Sequence, residues 1–302
     1  MTIGGAVGRE EFCDVGRGVT LCYESFGDPE DPAMLLVMGL ATQMIAWHTS
    51  FIELLVERGL RVVRFDNRDI GRSTRMTGVP TPTLRQLLAR RVGPRQYDLG
   101  DMGADTVGLM DGLGIRDAHL VGASMGGMIA QTVAARYPDR TRSLTSIMSN
   151  TGSRVTGQPG PGMYPVLLRR PAGRGREDFV DHIERVFGKI GSPGQDAATI
   201  REHAGLSFDR GVDADGPLRQ LGAIAASGAR AKELRKITAP TLVIHGKADR
   251  LVPLSGGKAT ARAIPGAKLM VVEGMGHDLP ERNWPRIVDA IVANAAVSAP
   301  AG

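Results

Sequence analysis

The sequence is poor in cysteine and has no long apolar run. Cys13 and Cys22 are the two cysteines among 302 residues, too few for a disulfide framework in a chain of this length. The segment between them, with Gly16 and Gly18 near its tip, is typical of a short hairpin. We therefore expect both thiols to be reduced, although the facing strands could bring them close. No run approaches the roughly 18 apolar residues of a membrane-spanning helix, and the first residues lack the apolar core of a signal peptide. These absences favour a cytoplasmic protein with no membrane span.

Aromatic residues are also scarce, at 4%, in a chain with a formal net charge of +5 and a pI of about 9.5. The densest basic stretches, residues 85–95 and 169–176, have no interleaved aromatic residues on which bases could stack, and no nucleic-acid motif accompanies them. We interpret both stretches as solvated faces or loops and expect no nucleic-acid partner.

Apolar segments of strand length alternate with helical patterns along most of the chain. Near-continuous hydrophobicity is typical of strands that are covered on both faces of a parallel sheet. The strand candidates are residues 33–39, 60–66, 118–124, 143–149, 241–246 and 268–274. The main helix candidates are residues 46–58, 101–113, 125–137, 256–264 and 284–295. This alternation predicts an α/β fold with a mostly parallel, doubly wound sheet.

The segment 150–236 breaks this alternation, because it contains no convincing buried strand. It begins with a stretch rich in glycine, proline and arginine and continues with three helical patterns. A structureless loop of this length inside a compact domain is implausible. We therefore predict a core formed by residues 1–149 and 237–302, and a helical cap formed by residues 150–236.

A candidate nucleophile lies where a strand candidate meets a helix candidate. In Gly122-Ala123-Ser124-Met125-Gly126 the serine follows an apolar segment directly and precedes a helical pattern. A nucleophile elbow requires this strand–turn–helix context, and its flanking glycines allow the sharp turn. The motif alone is a weak signal in a chain with 40 glycines, so Ser124 needs a base and an acid elsewhere in the sequence.

His277 is the candidate base among six histidines. A serine hydroxyl is a poor nucleophile at neutral pH without a base. His277 follows the last strand candidate, at the sheet edge where ligands bind in parallel sheets. His245 ends a strand candidate and fits a structural role better, and His119 would lie at the opposite end of the elbow strand.

Asp249 is the candidate acid that would fix the tautomer of His277. It lies just past a strand candidate and 28 residues before the histidine. The preceding strand candidate ends in Ser149-Asn150 and offers no carboxylate, while Asp278 is poorly placed to orient its neighbour. An exposed loop aspartate is the alternative interpretation of Asp249.

Two backbone N–H groups are candidates for an oxyanion hole, which stabilises the negative oxygen of a tetrahedral intermediate. Met125 follows the nucleophile at the start of a helix candidate. Leu40 lies in the loop after the strand candidate 33–39, and its N–H is the candidate for the second donor.

Together these segments resemble the α/β-hydrolase fold family along nearly the whole chain. The resemblance rests on the segments GASMGG, HGKADRLVP and EGMGHDLP, with FDNRDIGRS similar to the loop after the fourth strand in that family. It is greatest to esterases like aclacinomycin methylesterase and the bacterial lipase- and esterase-like proteins grouped with it. The resemblance implies a serine carboxylesterase that forms an acyl-enzyme, acts on a small-molecule ester and uses no metal or organic cofactor.

One position departs from the family's pattern. Most members have His-Gly before the oxyanion loop, whereas this chain has Met38-Gly39. Methionine cannot hydrogen-bond the loop as histidine can, so a different group must support it. The departure concerns the shape of the oxyanion hole and leaves the three candidate catalytic residues untouched.

Several activities are compatible with these residues. Haloalkane dehalogenases and epoxide hydrolases of this fold carry aspartate at the elbow, so Ser124 argues against them. Cofactor-independent perhydrolases share the serine, aspartate and histidine, and amidase or C–C hydrolase chemistry is also open. A non-catalytic small-molecule receptor is the alternative from a different class, and a panel of ester substrates distinguishes it from an esterase.

The cap supplies most candidates for an apolar substrate pocket suited to medium-chain or bulky esters. These candidates are Met163, Tyr164, Leu167, Leu168, Phe179 and Phe208. For each of these residues, packing within the interior of the cap itself is the alternative role. Trp47, just beyond the oxyanion loop, would line the pocket or anchor its own helix. A monomer and a homodimer are both compatible with the sequence.

Overall fold

An eight-stranded sheet forms the centre of the computed structural model, which describes residues 9–163, 165–166, 169 and 171–297. The strands are β1 (Glu11–Asp14), β2 (Thr20–Phe26), β3 (Ala33–Val37), β4 (Arg61–Phe65), β5 (Ala118–Ala123), β6 (Thr141–Ile147), β7 (Thr241–Gly246) and β8 (Lys268–Val272). They lie in the order β1-β2-β4-β3-β5-β6-β7-β8. The pairs β1–β2 and β2–β4 are antiparallel, and the other pairs are parallel.

Both faces of the sheet are covered, which explains the continuous apolar runs. Successive side chains of a strand point to opposite faces, and in β3 they alternate between two hydrophobic cores. Leu35 and Val37 belong to one core, and Met34 and Leu36 to the other. Every residue of β3, β5 and β7 is buried. The α/β fold with a mostly parallel sheet is therefore confirmed.

The helices with described bounds are α1 (Thr49–Val56), α2 (Leu84–Ala89), α3 (Leu99–Gly112), α4 (Met125–Arg136), α5 (Arg176–Ile190), α6 (Ala197–Arg210), α7 (Gly216–Ser227), α8 (Ala231–Leu234), α9 (Leu254–Ala263) and α10 (Trp284–Ala296). Of these, α3 and α4 contribute to one of the two hydrophobic cores and α1 and α10 to the other, so helices cover both faces of the sheet. The helices α5 to α8 lie between β6 and β7, and the described part of residues 150–236 contains no strand. This matches the helical character predicted for the segment, while its division from the core as a separate cap stays a prediction.

The six strand candidates agree with observed strands to within two residues at either end. The hairpin between the cysteines was predicted from its turn glycines, but its place as the antiparallel edge of the sheet was not. In the basic stretch 85–95, Thr83 caps the short helix α2 through a capping box with Gln86. Most residues of the stretch are exposed, in agreement with the predicted solvated face or loop.

Cys13 and Cys22 are both free thiols. Cys13 pairs with Leu21 and Cys22 with Phe12 in the β1–β2 ladder. The two cysteines therefore point to opposite faces of the hairpin, because neighbouring positions of a ladder alternate in direction. Across the described residues, no helix has both the length and the apolar character that crossing a membrane requires.

Candidate active site

Ser124 lies in a strained turn between β5 and α4. Its φ of +54° and ψ of −119° are rare for a residue with a side chain. The turn requires glycine on both sides. A Cβ atom on Gly122 would lie 2.2 Å from the carbonyl oxygen of Gly126, and one on Gly126 would lie 2.0 Å from that of Val37. The two glycines and the serine thus form one structural unit that presents the Ser124 side chain above the sheet edge.

The imidazole of His277 joins Ser124 to Asp249. Its Nε2 atom lies 2.9 Å from Ser124 Oγ, and its Nδ1 atom lies 2.8 Å from Asp249 Oδ2. The other carboxylate oxygen of Asp249 accepts hydrogen bonds from the backbone N–H groups of Leu251 and Val252, at 2.9 and 2.8 Å. The sequence placed these three side chains after separate strands, and the fold brings them into one hydrogen-bonded chain.

This chain fixes which ring nitrogen carries the proton. A carboxylate accepts hydrogen bonds only, so His277 donates its Nδ1–H to Asp249. The Nε2 lone pair is then free to accept the hydroxyl proton of Ser124. The Asp249 side chain is fully buried and the His277 side chain is 8% exposed, so this arrangement is shielded from water. Such a histidine is oriented to act as a general base.

The loop that carries His277 is held by the C-terminal end of α5. The His277 N–H donates to the Ile190 carbonyl at 2.8 Å, and the Gly276 N–H donates to Ser192 Oγ at 2.8 Å. Asp278 accepts from the Ser192 backbone and hydroxyl, at 2.7 and 2.6 Å, and burial raises the pKa of its carboxyl. Asp278 therefore anchors the loop to α5 and does not bond the imidazole, as expected from the sequence.

His245 and His119 take structural positions. His245 donates its Nε2–H to the Val252 carbonyl at 2.7 Å, so it supports the turn that carries Asp249. His119 lies at the start of β5, far along the strand from Ser124, with its Nδ1 atom 2.8 Å from Ser143 Oγ. Burial lowers the pKa of His119 to about 4.

The predicted oxyanion donors belong to the two segments next to Ser124, the start of α4 and the loop after β3. Met125 is the first residue of α4, where backbone N–H groups have no partner within the helix. The loop after β3 passes directly over the serine, since a Cβ atom on Gly39 would lie 3.1 Å from Ser124 Cβ. Within the described part of the chain, the N–H groups of Leu40 and Met125 donate to no acceptor. Their role as oxyanion donors stays a prediction.

The pocket candidates are spread between the core and the helices after β6. Trp47 is buried against Phe51, with ring centroids 5.7 Å apart, and this stacking fits the anchoring alternative. Phe208 of α6 contacts Phe179 of α5, also at 5.7 Å, so it packs within the helical segment. Met163 is half-buried. Tyr164, Leu167 and Leu168 lie outside the described residues, and the pocket assignment stays a prediction.

Sequence reasoning missed the structural part played by the loop after β4. Asp66, Asn67, Arg68 and Asp69 are all buried. These side chains bond neighbouring loops and the helices α6 and α7. A run of charged and amide residues directly after a buried strand was the available signal, because buried charges require partners.

Nothing in the described residues resembles a metal centre, since no group of three or more His, Cys, Asp or Glu side chains converges there. The polar groups at the sheet edge instead form the Ser124–His277–Asp249 chain.

Comparisons with known proteins find similarity over most of the chain. A family profile described as the α/β hydrolase fold matches residues 32–283. A rhodomycin D methylesterase of Streptomyces peucetius is 30% identical over 283 residues, which cover 87% of this chain and 90% of that enzyme. A non-heme chloroperoxidase of Kitasatospora aureofaciens is 24% identical over 274 residues, which cover 89% of this chain and 92% of that protein.

Solved structures show the same fold. A 2-hydroxy-6-oxo-6-phenylhexa-2,4-dienoate hydrolase from Rhodococcus sp. strain RHA1 superposes with a TM-score of 0.73, at 20% sequence identity. The superposition covers 95% of this chain and 98% of that enzyme.

Proposed function

Because the chain belongs to the α/β-hydrolase fold family, we propose that it is a serine carboxylesterase that cleaves esters through an acyl-enzyme on Ser124. The observation that carries the proposal is the hydrogen-bonded chain from Ser124 through His277 to Asp249, with distances of 2.9 and 2.8 Å. In this arrangement a nucleophile, a base and an acid have the mutual geometry that acyl transfer needs.

The acylation step follows from the tautomer of His277. The Nε2 atom takes the hydroxyl proton of Ser124 as Oγ bonds to the ester carbonyl carbon. The carbonyl oxygen becomes negative and accepts hydrogen bonds from the Leu40 and Met125 N–H groups. When the intermediate collapses, the bond to the alcohol oxygen breaks and His277 gives its proton to that oxygen. Asp249 stabilises the imidazolium that forms between these transfers.

Deacylation repeats the sequence with water. His277 takes a proton from the water molecule, whose oxygen bonds to the acyl carbon, and the same two N–H groups bind the oxyanion. The bond to Ser124 then breaks, and His277 returns the proton to Oγ as the carboxylic acid leaves. The cycle consumes one ester and one water and uses only residues of this chain.

The substrates that we propose are small to medium esters and the methyl esters of bulky apolar acids. Support comes from the similarity to a rhodomycin D methylesterase, and we propose that apolar cap residues such as the half-buried Met163 line the pocket. An apolar pocket holds the acyl group of such esters by excluding water from its surface.

A substrate panel tests this proposal. p-Nitrophenyl esters of increasing acyl length and methyl esters of bulky acids are offered to the wild type and to Ser124→Ala. We expect hydrolysis by the wild type and its loss in the variant, with circular dichroism showing that the variant is folded. Retention of most activity by Ser124→Ala would exclude the proposed nucleophile. No hydrolysis of any ester by the wild type would favour a binding protein instead.

A perhydrolase activity is the second candidate, supported by the similarity to a non-heme chloroperoxidase. Hydrogen peroxide would replace water in deacylation, so that its oxygen bonds to the acyl carbon and a peracid leaves Ser124. Formation of peracetic acid from an acetate ester and hydrogen peroxide, absent in Ser124→Ala, is the expected sign of this activity. If the wild type makes no peracid above background, only the esterase proposal stands.

A further inference from the structure

The loop that carries Leu40 contains a residue in an unfavourable conformation. We call residues 40–43 the oxyanion loop. Within it, Ala41 has a φ of +58°, in the left-handed region that side-chain-bearing residues rarely adopt. The backbone must therefore be held there by other contacts. The N–H of Ala41 donates to Gln220 Oε1 at 2.9 Å, which links the loop to helix α7.

The amide of Gln220 can face Ala41 in one orientation only. Gln220 is fully buried, and its Nε2 group donates to the Arg68 carbonyl at 2.9 Å. Turning the amide over would place its NH₂ group against the Ala41 N–H and its oxygen against the Arg68 carbonyl. Both contacts would then pair like groups, so Oε1 is fixed as the acceptor for the loop.

The residues around Gln220 form a rigid support. Arg68 makes two hydrogen bonds to the buried carboxylate of Asp105, at 2.5 and 2.6 Å. Arg219, the residue before Gln220, pairs with the buried carboxylate of Asp69 at 2.6 Å. The adjacent side chains of Arg219 and Gln220 thus bond the start of α7 to the loop after β4. Because Gln220 is held in place in this way, its hydrogen bond to Ala41 fixes the position of the oxyanion loop.

The entry to the oxyanion loop has separate support. The Met38 side chain offers no hydrogen bond to the loop, but Asn67 Nδ2 donates to the Met38 carbonyl at 2.8 Å. Gly39 and Leu40 lie between this fixed carbonyl and the bonded N–H of Ala41. The hydrogen bonds of Asn67 and Gln220 therefore restrict, from both ends, the segment that carries the Leu40 N–H.

We propose that Gln220 is a positioning residue of the reaction, which holds the oxyanion loop so that the Leu40 N–H is directed at the oxyanion formed by attack of Ser124. The inference rests on the proposed esterase function. It gives helix α7 a part in transition-state stabilisation in addition to any part in covering the substrate.

The expected effect of losing Gln220 is on kcat. Negative charge on the carbonyl oxygen develops in the transition state, so a misdirected donor weakens that state more than the bound ester. Complete removal of one oxyanion donor typically lowers kcat by about 10² to 10³. Gln220→Met keeps the Leu40 N–H but frees its loop, so we expect a loss of roughly 10- to 100-fold with KM changed by less than about threefold.

Gln96→Met is the matched control. Gln96 Nε2 also donates to α7, at the Arg219 carbonyl and 3.0 Å away, yet Gln96 makes no hydrogen bond to the oxyanion loop. Both substitutions replace a glutamine that bonds α7 by a side chain of similar length. A fluorophosphonate titration to its endpoint counts the functional Ser124 in each preparation. Because kcat is then expressed per reactive site, a partly unfolded preparation does not lower its value.

A transition-state mimic supplies a readout that a merely structural role would not change. A trifluoromethyl ketone adds to Ser124 and places its oxyanion in the hole. Its inhibition constant should rise in Gln220→Met by the same factor as kcat/KM falls, and should match the wild-type value in Gln96→Met. Gln220→Glu keeps an acceptor for the Ala41 N–H, so its kcat should lie between those of the wild type and Gln220→Met.

Ala41→Gly tests whether Gln220 is needed because Ala41 has an unfavourable positive φ. Glycine adopts a positive φ without strain, so the loop should depend less on Gln220 in this background. We expect Gln220→Met to lower kcat by a smaller factor in Ala41→Gly than in the wild type. Equal factors in the two backgrounds would contradict the proposal, as would a kcat of Gln220→Met within twofold of that of Gln96→Met.

The outcomes separate this inference from the proposed function. A wild type that hydrolyses esters, together with an inactive Ser124→Ala and an undisturbed Gln220→Met, overturns the role of Gln220 alone. A wild type without activity towards any ester overturns both.

Discussion

His277 contacts Ser124 and Asp249 through nitrogens on opposite sides of its ring, so the proton on Nδ1 decides what Nε2 can do. Asp249→Asn would offer the ring an NH₂ group as well as an oxygen and would allow the tautomer with hydrogen on Nε2. That tautomer cannot accept the Ser124 proton. We expect kcat for ester hydrolysis to fall by about 10⁴-fold with the fold intact.

Asp278→Asn is the control for this prediction. It neutralises a neighbouring buried carboxylate that bonds Ser192 and not the imidazole. We expect kcat to stay within about tenfold of the wild type. Equal losses in the two variants would show that Asp249 does not orient His277.

His119 makes stability depend on pH. Its folded-state pKa of about 4 lies below the ordinary value of 6.5 because the ring is buried. The contribution of the neutral His119 to the free energy of unfolding is therefore fully present above about pH 6.5. It is lost as the pH falls from there towards 4, and the loss is at most about 3 kcal/mol. Urea unfolding across this range should show the loss, and His119→Asn should reduce it. An unchanged pH dependence in His119→Asn would contradict the assignment.

The proposed catalytic residues could be predicted from the sequence, whereas Gln220 could not. Ser124, Asp249 and His277 each follow a recognisable apolar strand, and the ends of parallel strands meet at one edge. Gln220 lies within a helical pattern, and its partner Ala41 is 179 residues away. Such a contact depends on how α7 packs, which local sequence does not specify.

At the scale of elements, the loop after β4 and helix α7 are joined by a buried ion pair. The side chains of Arg219 and Asp69 are 4% and 0% exposed, and their charged atoms are 2.6 Å apart. Arg219→Leu leaves Asp69 buried without its cation, so we expect the free energy of unfolding to fall by about 3–5 kcal/mol. Denaturant unfolding monitored by tryptophan fluorescence measures it.

An exposed pair provides the comparison. Arg58 and Asp289 also lie 2.6 Å apart, but their side chains are 42% and 62% exposed. We expect Arg58→Leu to lower the free energy of unfolding by less than about 1 kcal/mol, because water screens such pairs. If Arg219→Leu lowers the free energy of unfolding by no more than Arg58→Leu does, the buried ion pair does not stabilise the packing of α7.

The buried strands were predicted better than the edge hairpin and the exposed helix α2, for a physical reason. A strand such as β5 is buried on both faces, so each of its positions is constrained to be apolar. The hairpin of β1 and β2 was visible from its turn, but pairing of β2 with β4 is a contact between distant segments. The helix α2 was hidden within a basic stretch, because its exposed face leaves arginines unconstrained.

At the scale of the whole molecule, two loops of the proposed site are bonded to the helices between β6 and β7. The His277 loop is bonded to the end of α5 through Ile190. The oxyanion loop is bonded to α7 through Gln220 and to the end of α6, where Gln43 Nε2 donates to the Ser207 carbonyl at 2.7 Å. Ser124 itself lies on the sheet. This connectivity makes the helical segment part of the catalytic framework that we propose.

Capture of the acyl-enzyme tests the proposed role of Ser124 as the nucleophile. The wild type is mixed with a p-nitrophenyl ester, quenched with acid within the first turnovers and digested for mass spectrometry. We expect the peptide containing Ser124 to gain the mass of the acyl group, and Ser124→Ala neither to gain it nor to release p-nitrophenol. An acyl group on another residue, or hydrolysis that continues in Ser124→Ala, would contradict the proposed acyl-enzyme on Ser124.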